Sequence, residues 1–470
     1  MKTSTISSEQ LLEGQHRLKP NFYLNEGKIR LERMRKSKYP MSTIGQEVMA
    51  VYRSNIFKRQ FVADKSNGLL YISGADITTS APRTGAKLIS KKYTPNIVET
   101  TLKENQILVT CAGTVGKVRL VTSDMVGIIG SQDIIRVDFD NDKYPYGYVY
   151  AFLASSTAYI YMQSLFYGSV VPRIEPFHVR SIPIPALPSS EQNEIHELIK
   201  KSSALRVEAT TLLKDAHETL MASCNLPELT SSDYEYFGAN PAVRKPSTFQ
   251  VRKVESTSLA AWNYSGRIAK IRARVQENVD TLTLANCLLD NRFFSTGSFK
   301  RLELDSPHSI ELINQSDIFD NRVQGRRLAR KYAGNQRLVE YGEVLIAGVG
   351  TLGENETFCR ALYAGEELTG KLISGEFIRM KANGKVPAGY LYAWLASDYG
   401  FRLIRGTQAG TKLCRPIPKL LAEIPVPVLK EELMNEIDQL VTSAHAKRYA
   451  ALQLENEAIH RVESAIAAWQ

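Results

Sequence analysis

The chain has 470 residues, too many for one ordinary hydrophobic core, which predicts two domains of about 200 residues each. Its 43% hydrophobic and 23% charged residues are typical of a soluble globular protein; five scattered cysteines exclude a disulfide framework, and no apolar run approaches the ~18 residues of a membrane span. The formal charge of +10 favours a nucleic-acid partner only modestly, because many basic proteins bind none.

The first half of the chain predicts an α+β domain with mostly antiparallel strands. Residues 1–20 are polar and lack the apolar core of a signal peptide, so a cytoplasmic protein without membrane contact is expected. A basic, helix-like stretch over 28–38 is expected to be a solvated face. After it, β-type runs alternate with turn residues, and a helix is predicted over 146–167. The strands are predicted at 69–73, 106–110, 117–121 and 133–137.

A proline-rich segment followed by a long helix ends this half. Ile182-Pro-Ile-Pro185 must be extended, since each proline fixes its own φ and keeps the preceding residue out of the helical region. Ser189 or Ser190 can then cap a helix, with Gln192 placed as a capping box requires. Apolar residues recur at a spacing near 3.5, which predicts a helix over 189–224 of about 45 Å.

The second half repeats the first. Ile424-Pro-Val-Pro427 lies 242 residues after its counterpart and precedes another apolar stripe, which predicts a helix over 430–470 of about 60 Å. Tyr390-Leu-Tyr-Ala-Trp-Leu-Ala-Ser397 matches Tyr148-Val-Tyr-Ala-Phe-Leu-Ala-Ser155, and the other matches keep their order. The chain is therefore a tandem duplication, and the two long helices are expected to pair antiparallel as a coiled coil.

This duplication predicts how the chain is divided. The segment over 225–250 is polar and turn-rich without periodicity, so it is either a linker or an ordered surface loop. The predicted divisions are an N-terminal segment over 1–20, α/β domains over 21–188 and 251–429, spacer helices over 189–224 and 430–470, and the 225–250 linker.

Two diverged α/β domains, each ending in an Ile-Pro segment and a long helix, resemble the DNA specificity subunit of type I restriction–modification systems. The resemblance implies two target recognition domains that each read half of a bipartite double-stranded DNA target, here asymmetric because the halves differ. It also implies that the paired helices set the half-site spacing and dock two methyltransferase subunits. Whether restriction or translocase subunits also bind is left open by the resemblance. The second helix departs from the first, since Lys430-Glu-Glu stands where the first has Pro-Ser-Ser-Glu-Gln.

Candidate DNA-binding residues lie in loops at equivalent places in the two halves, directly after Asp76-Ile77 and Asp317-Ile318. Base reading needs Arg, Lys, Asn or Gln, and phosphates need Lys and Arg. Loops 78–93 and 319–332 supply Arg83, Lys87, Lys91, Lys92, Arg322, Gln324, Arg326, Arg327, Arg330 and Lys331. The alternative for any one of them is a solvated charged surface.

Further candidates lie in glycine-containing turns and in two later loops. Gly113-Thr-Val-Gly116 and Gly350-Thr-Leu-Gly353 could bring amides and hydroxyls to a phosphate, or could be tight turns that need glycine. The loops over 168–173 and 407–415 are expected to touch the DNA backbone. These segments and the residues beside them supply Thr114, Lys117, Arg173, Thr351, Arg405, Lys412 and Arg415.

No motif in the chain predicts catalysis. Gly365–Leu372 has P-loop spacing, but a leucine replaces the hydroxyl residue that would bind magnesium, and the histidines form no metal-binding set. The chain is expected to be non-catalytic and without a cofactor, with S-adenosylmethionine bound by the partner methyltransferase. Other interpretations are the recognition region of a single-chain methyltransferase–nuclease or of a related phage-defence system, and a coiled-coil adaptor that binds only protein.

Overall fold

The computed structural model describes residues 5–13, 23, 26–36, 39–139, 144–168, 170–235, 248–251, 253–334 and 338–468. Their contacts divide the chain into two compact units that are not contiguous in sequence. Unit 1 contains Met1–Gln60, Leu69–Val207 and Ala450–Gln470, and unit 2 contains Phe61–Gly68 and Glu208–Tyr449. Each unit therefore combines most of one sequence repeat with segments of both long helices.

Unit 1 is an α+β structure with three small sheets. Its strands are β1 (Met41–Thr43), β2 (Ala50–Tyr52), β3 (Gly68–Ile72), β4 (Lys87–Ser90), β5 (Ile107–Thr110), β6 (Val118–Leu120), β7 (Ile129–Gly130), β8 (Ile134–Asp138) and β9 (Pro183–Pro185). Its helices are α1 (Ser8–Glu13), α2 (Glu26–Arg35), α3 (Ile44–Glu47), α4 (Ile97–Thr100), α5 (Tyr146–Leu153), α6 (Ser156–Leu165), α7 (Pro176–Arg180) and the start of α8 (Ser189–Ser223). The sheets have the orders β2-β8-β5-β6, β4-β3-β7 and β1-β9, and β3 is parallel to β7.

Unit 2 has corresponding sheets, of which the largest has three strands instead of four, and its short hairpin is assigned as two strands. Its strands are β10 (Thr281–Thr283), β11 (Ser309–Ile313), β12 (Arg326–Ala329), β13 (Val344–Ala347), β14 (Ala361–Tyr363), β15 (Leu372–Ile373), β16 (Phe377–Met380), β17 (Gln408–Ala409), β18 (Arg415–Pro416) and β19 (Pro425–Pro427). Its helices are α9 (Gly266–Asn278), α10 (Ala388–Ala396), α11 (Asp398–Arg405), α12 (Pro418–Ala422) and the start of α13 (Glu431–Ala467). The sheets are β14-β13-β16, β12-β11-β15, β10-β19 and β17-β18, with β11 parallel to β15.

The common topology confirms the predicted fold class, an α+β protein with two tandem-duplicated domains and two long helices. β5, β6 and β8 correspond to β13, β14 and β16, and the strand that contains the Ile-Pro segment closes each domain. Thr43 pairs with Pro183 in unit 1, and Thr283 pairs with Pro425 in unit 2, both antiparallel. An extended proline strand is tolerated because it pairs along one edge only.

The long helices α8 and α13 run antiparallel in unit 1. The Ser202 hydroxyl of α8 donates to the Ala451 carbonyl of α13 at 2.7 Å. Glu194, nearer the start of α8, forms an ion pair of 2.8 Å with Arg461, which is nearer the end of α13. The predicted apolar stripes form the contact, since Ile195 and Ile199 share a core with Ala458, Ile459 and Val462. In unit 2, Ala216 and Leu220 share a core with Ile437 and Val441.

The helix predicted over 146–167 is wrong as a single element, because it breaks between α5 and α6. Ser155 leaves the helical region (φ −66°, ψ 154°), and its hydroxyl accepts a hydrogen bond from the Ala158 amide at 3.2 Å. Ser397 does the same for the Gly400 amide at 3.1 Å in unit 2. A serine in this position satisfies an amide at the start of the second helix, so apolar periodicity alone does not reveal the break.

Several predicted segments fall partly outside the described residues. In the 225–250 segment, Leu226 and Leu229 are buried in the core of unit 2, while 236–247 lie outside the described part. Helix α2 covers much of the basic stretch 28–38, and residues 37 and 38 lie outside the described part of the chain. Within the described ranges, no helix is both long and apolar enough to cross a membrane.

Candidate nucleic-acid interface

The repeated tyrosine motif and the repeated Ile-Pro segment are joined by a hydrogen bond in each unit. The buried Tyr148 hydroxyl donates to the Pro185 carbonyl at 2.5 Å, and the buried Tyr390 hydroxyl donates to the Pro427 carbonyl at 3.1 Å. A buried hydroxyl without a partner would cost free energy, so this bond fixes α5 and α10 against the strands β9 and β19.

The long helices hold the same, N-terminal end of α5 and α10. The Gly147 amide donates to Nδ1 of His196 in α8 at 3.2 Å, and the Gly389 amide donates to Oδ1 of Asp438 in α13 at 2.7 Å. Burial lowers the pKa of His196 and raises the pKa of Asp438. Each domain is therefore fixed to a long helix at equivalent positions, although the two side chains differ in chemistry.

In unit 1, the Gly113–Gly116 turn between β5 and β6 lies against a short hairpin. The hairpin spans 167–173, of which residue 169 lies outside the described residues, and we call it tip hairpin 1. The backbones of Tyr167 and Arg173 exchange hydrogen bonds of 2.9 and 2.8 Å. The Gly113 amide donates to the Pro172 carbonyl at 3.0 Å, so the turn and the hairpin form one surface.

Unit 2 contains the same arrangement. Tip hairpin 2, over 409–415, is closed by pairing of Ala409 with Arg415. The Gly350 amide donates to the Cys414 carbonyl at 3.2 Å, and the Cys414 amide donates back to the Gly350 carbonyl at 2.7 Å. The hairpin positions in the two units are related by the 242-residue offset of the sequence repeat.

A glycine begins the bend of each hairpin. Gly168 has φ +92° and Gly410 has φ +112°, a region that other residues rarely adopt. A Cβ atom there would come within 2.6 Å of the Val171 carbonyl oxygen or 2.8 Å of the Leu413 carbonyl oxygen. The two hairpins therefore have one tight backbone conformation that requires glycine.

Six of the predicted residues surround these turn-and-hairpin surfaces. Thr114, Thr351, Lys412 and Arg415 are exposed, whereas Lys117 and Arg173 are half-buried. The Lys117 ammonium lies 5.3 Å from the Tyr159 ring, and Arg173 lies 3.9 Å from Asp133. Whether the turns bind phosphate or only need glycine for a tight bend stays open. A need for glycine at positive φ applies only to unit 1, where Gly113 and Gly116 have φ of +72° and +84°; Gly350 and Gly353 lie outside the left-handed region.

Arg405 does not lie on this surface, and the prediction that it contacts DNA is wrong. Arg405 is only 2% exposed, and its guanidinium carbon lies 4.3 Å from the centroid of the Phe401 ring. One guanidinium nitrogen donates to the Gly353 carbonyl at 2.5 Å, so Arg405 holds the turn from inside the unit. Gln163, at the equivalent position in unit 1, donates to the Val115 carbonyl of its own turn.

Two more arginines fix the turn of unit 2, and the sequence did not single them out. Arg402 makes a bidentate pair with the Glu354 carboxylate at 3.0 and 2.6 Å. Arg360 donates to the Glu354 carbonyl at 2.9 Å, and burial together with the nearby Arg405 and Arg402 lowers the pKa of Arg360 to about 10. A bidentate buried pair is geometrically strict, so the turn is held in one conformation.

The predicted basic loop of unit 1 contains an edge strand, β4, instead of being wholly irregular. Lys87 is the first residue of this strand, and Lys91 and Lys92 follow it; all three are exposed. Arg83 is exposed but donates to the carbonyls of Asp124 and Val126 at 3.0 and 3.3 Å. All four cations are exposed, and Arg83 is also fixed by the backbone carbonyls to which it donates.

The corresponding loop of unit 2 likewise contains an edge strand, β12, and more arginine. Arg326 and Arg327 are exposed and lie 3.3 Å from Glu303 and 3.4 Å from Asp305, in pairs that are themselves exposed. Such pairs contribute little stability, so they can exchange a carboxylate for a phosphate at small cost. Gln324, Arg330 and Lys331 are also exposed, whereas Arg322 is half-buried.

A metal site would require several His, Cys, Asp or Glu side chains close together. Within the described residues, no three His, Cys, Asp or Glu side chains are placed to hold a metal ion. The five cysteines are free and buried. The P-loop-like segment forms a turn before β15, in which Gly370 has φ +77°.

Comparisons with known proteins give one family match and several weak structural ones. Residues 42–215 match the family model for the type I restriction modification DNA specificity domain. No curated protein is significantly similar to the chain. The type I S subunit from M. genitalium is 14% identical at a TM-score of 0.36, covering 92% of this chain and 95% of that chain. The HsdS subunit from Thermoanaerobacter tengcongensis is 12% identical at 0.29, covering 92% and 97%.

A third solved structure, the type IIG restriction endonuclease BpuSI, is 10% identical at a TM-score of 0.30, covering 41% of this chain and 30% of that chain. The structure of this chain shows two α+β domains, each with exposed cations on or beside an edge strand. Over residues 42–215, less than half of the chain, the sequence is similar to the type I restriction modification DNA specificity domain.

Proposed function

We propose that the chain is a specificity subunit whose two domains each read one half of a bipartite, asymmetric duplex DNA target. The observation that carries this proposal is the repeated surface. Both units present a glycine-containing turn bonded to a tip hairpin, and a basic edge strand, at equivalent positions, with different side chains at several exposed positions. Equivalent backbones place two readers alike, and different side chains give them different base preferences.

The edge strand of unit 2 provides the test. Replacing Arg326, Arg327, Arg330 and Lys331 by alanine should weaken recognition of one half-site, because these exposed cations belong to one unit. Loss of a bidentate base contact costs about 1–3 kcal/mol at its own base pair, whereas loss of a phosphate contact weakens all sequences together. Binding of the full chain to a library of half-site variants distinguishes the two.

A control that removes two positive charges from another part of the same unit tests whether loss of charge alone alters recognition. Arg292 and Lys385 are exposed cations of the same unit, near the end of β16 that is opposite the Gly350 turn. The double substitution Arg292→Ala/Lys385→Ala should leave the base preference unchanged. Equal changes of preference in both half-sites after the edge-strand substitutions would contradict the two-reader proposal.

Partners and cofactors belong to the same proposal. Two methyltransferase subunits would dock on the paired helices, and they would bind S-adenosylmethionine and act in the cytoplasm, with or without a restriction or translocase subunit. The exposed face of α8 supplies Asn193, Glu194, Glu197 and Lys201 for such a contact. We expect the purified chain alone to transfer no methyl group to DNA and to cleave none. The protein-only adaptor alternative predicts no salt-dependent binding to duplex DNA.

A further inference from the structure

Exposed aliphatic side chains occupy the same position in the two tip hairpins. Val171 is 45% exposed and Leu413 is 63% exposed, and Val170 beside Val171 is 90% exposed. Val171 and Leu413 each follow the bend glycine, Gly168 or Gly410, by three residues. A single exposed aliphatic residue is ordinary on a protein surface. Its repetition at the apex of two hairpins with identical backbone pairing indicates a common role.

Groups that suit a nucleic acid surround tip hairpin 2, and in unit 1 the exposed Thr114 lies in the turn that is bonded to tip hairpin 1. In tip hairpin 2, Leu413 lies between the exposed Lys412 and Arg415, and the exposed Thr351 is in the turn bonded to the same hairpin. Cations and hydroxyls can contact phosphates on either side of an apolar tip. In the major groove, the one apolar group on a base edge is the thymine 5-methyl group.

We propose that Val171 and Leu413 each contact the 5-methyl group of a thymine in the half-site read by their own unit. This inference depends on the proposed function and adds a base-reading element that contains no polar group. Valine is small for a wedge that separates stacked bases, a role usually taken by larger side chains. Both valine and leucine can cover a methyl group, so a methyl contact accounts for both copies.

The test compares Val171→Ala and Leu413→Ala in the full chain. Each variant should lose about five- to tenfold in affinity for thymine at one position of one half-site, because part of an aliphatic contact is removed. Replacing that thymine by deoxyuridine removes only the methyl group. Wild-type protein should lose a similar factor on this change, and the matching alanine variant should lose little more.

Two exposed residues provide controls in the same units. Leu289 is 50% exposed beside the end of β16 opposite the Gly350 turn, and Met49 is 59% exposed beside the equivalent end of β8. Leu289→Ala and Met49→Ala should leave the binding profile unchanged. Thermal melting of all four variants shows whether any of them is misfolded.

The outcomes separate this inference from the function on which it depends. Absence of salt-dependent duplex binding by the wild-type chain overturns the proposed function. If the wild type binds but tolerates deoxyuridine at every thymine, the methyl contact alone is refuted. The methyl contact is also refuted if the alanine variants weaken binding to all sequences equally. It is refuted as well if they impair only assembly with a methyltransferase subunit, because the tips would then contact a protein.

Discussion

A buried ion pair between the long helices gives a direct test of their antiparallel register. In unit 1, the Glu455 carboxylate of α13 accepts hydrogen bonds from Arg206 of α8 at 2.6 Å and from the Tyr150 hydroxyl at 2.7 Å. The two charged side chains are only 3% and 12% exposed. Glu455→Ala would leave the guanidinium and the hydroxyl buried without this acceptor. We expect the free energy of unfolding to fall by about 3–5 kcal/mol.

Two further variants make this magnitude specific. Arg461 pairs with Glu194 across the same helices, but those side chains are 43% and 65% exposed. Arg461→Ala should therefore cost less than about 1 kcal/mol. The double variant Arg206→Met/Glu455→Leu should recover most of the loss, because replacing both members of a buried pair by apolar residues is often neutral or stabilising.

Urea unfolding followed by circular dichroism measures the global effect, and native-state hydrogen exchange of the α13 amides measures it locally. The local measurement is needed because a chain with two units need not unfold in one step. If Glu455→Ala destabilises α13 no more than Arg461→Ala does, or if the double variant is as unstable as the single one, the register is refuted.

Two other predictions concern titratable groups. Burial and the nearby Arg448 lower the pKa of His445 to about 3, and its ring packs against Tyr363 and Tyr392. The pKa of His445 in the folded protein lies below its unfolded value of about 6.5, so its contribution to the free energy of unfolding is fully present above pH 6.5. Below that pH the free energy of unfolding should fall by at most about 1.4 kcal/mol per pH unit. In pH-dependent unfolding, His445→Gln should flatten this slope. Burial raises the pKa of Cys111 to about 11 and that of Cys224 to about 12, and all five cysteines are buried. A thiol reagent should therefore react slowly with the native protein, whereas after denaturation all five thiols should react. A rapid reaction of the native protein would contradict the burial.

The long helices and the proline strands could be predicted because their signals are local. A 3.5-residue apolar spacing and a proline on each side of one residue act within a few positions. The break at Ser155 is also local, but a serine within an apolar pattern is compatible both with a helix interior and with a cap. The hydrogen bond that decides for the cap is visible only in the structure.

The position of a charged side chain could not be predicted in the same way. Arg405 and Arg415 both lie in or next to a glycine-containing basic loop, yet the first is 2% exposed and the second is exposed. Arg405 is buried because its partner is the carbonyl of Gly353, which is 52 residues away. The apolar tips were missed for another reason, since a search for polar base readers passes over Val171 and Leu413. The glycines at 168 and 410, at the repeat offset, were the available signal.

The two copies act as an internal comparison that separates scaffold from recognition. Several side chains that support the backbone keep one hydrogen bond at one position in both copies, as with Tyr148 and Tyr390 or Ser155 and Ser397. At some exposed positions the chemistry changes. The first residue of the edge strand is Lys87 in unit 1 and Arg326 in unit 2. An arginine can make a bidentate contact to guanine that a lysine ammonium makes only as a point charge. Under the proposed function, such exchanges on a common frame would give each half its own base preference, as an asymmetric target requires.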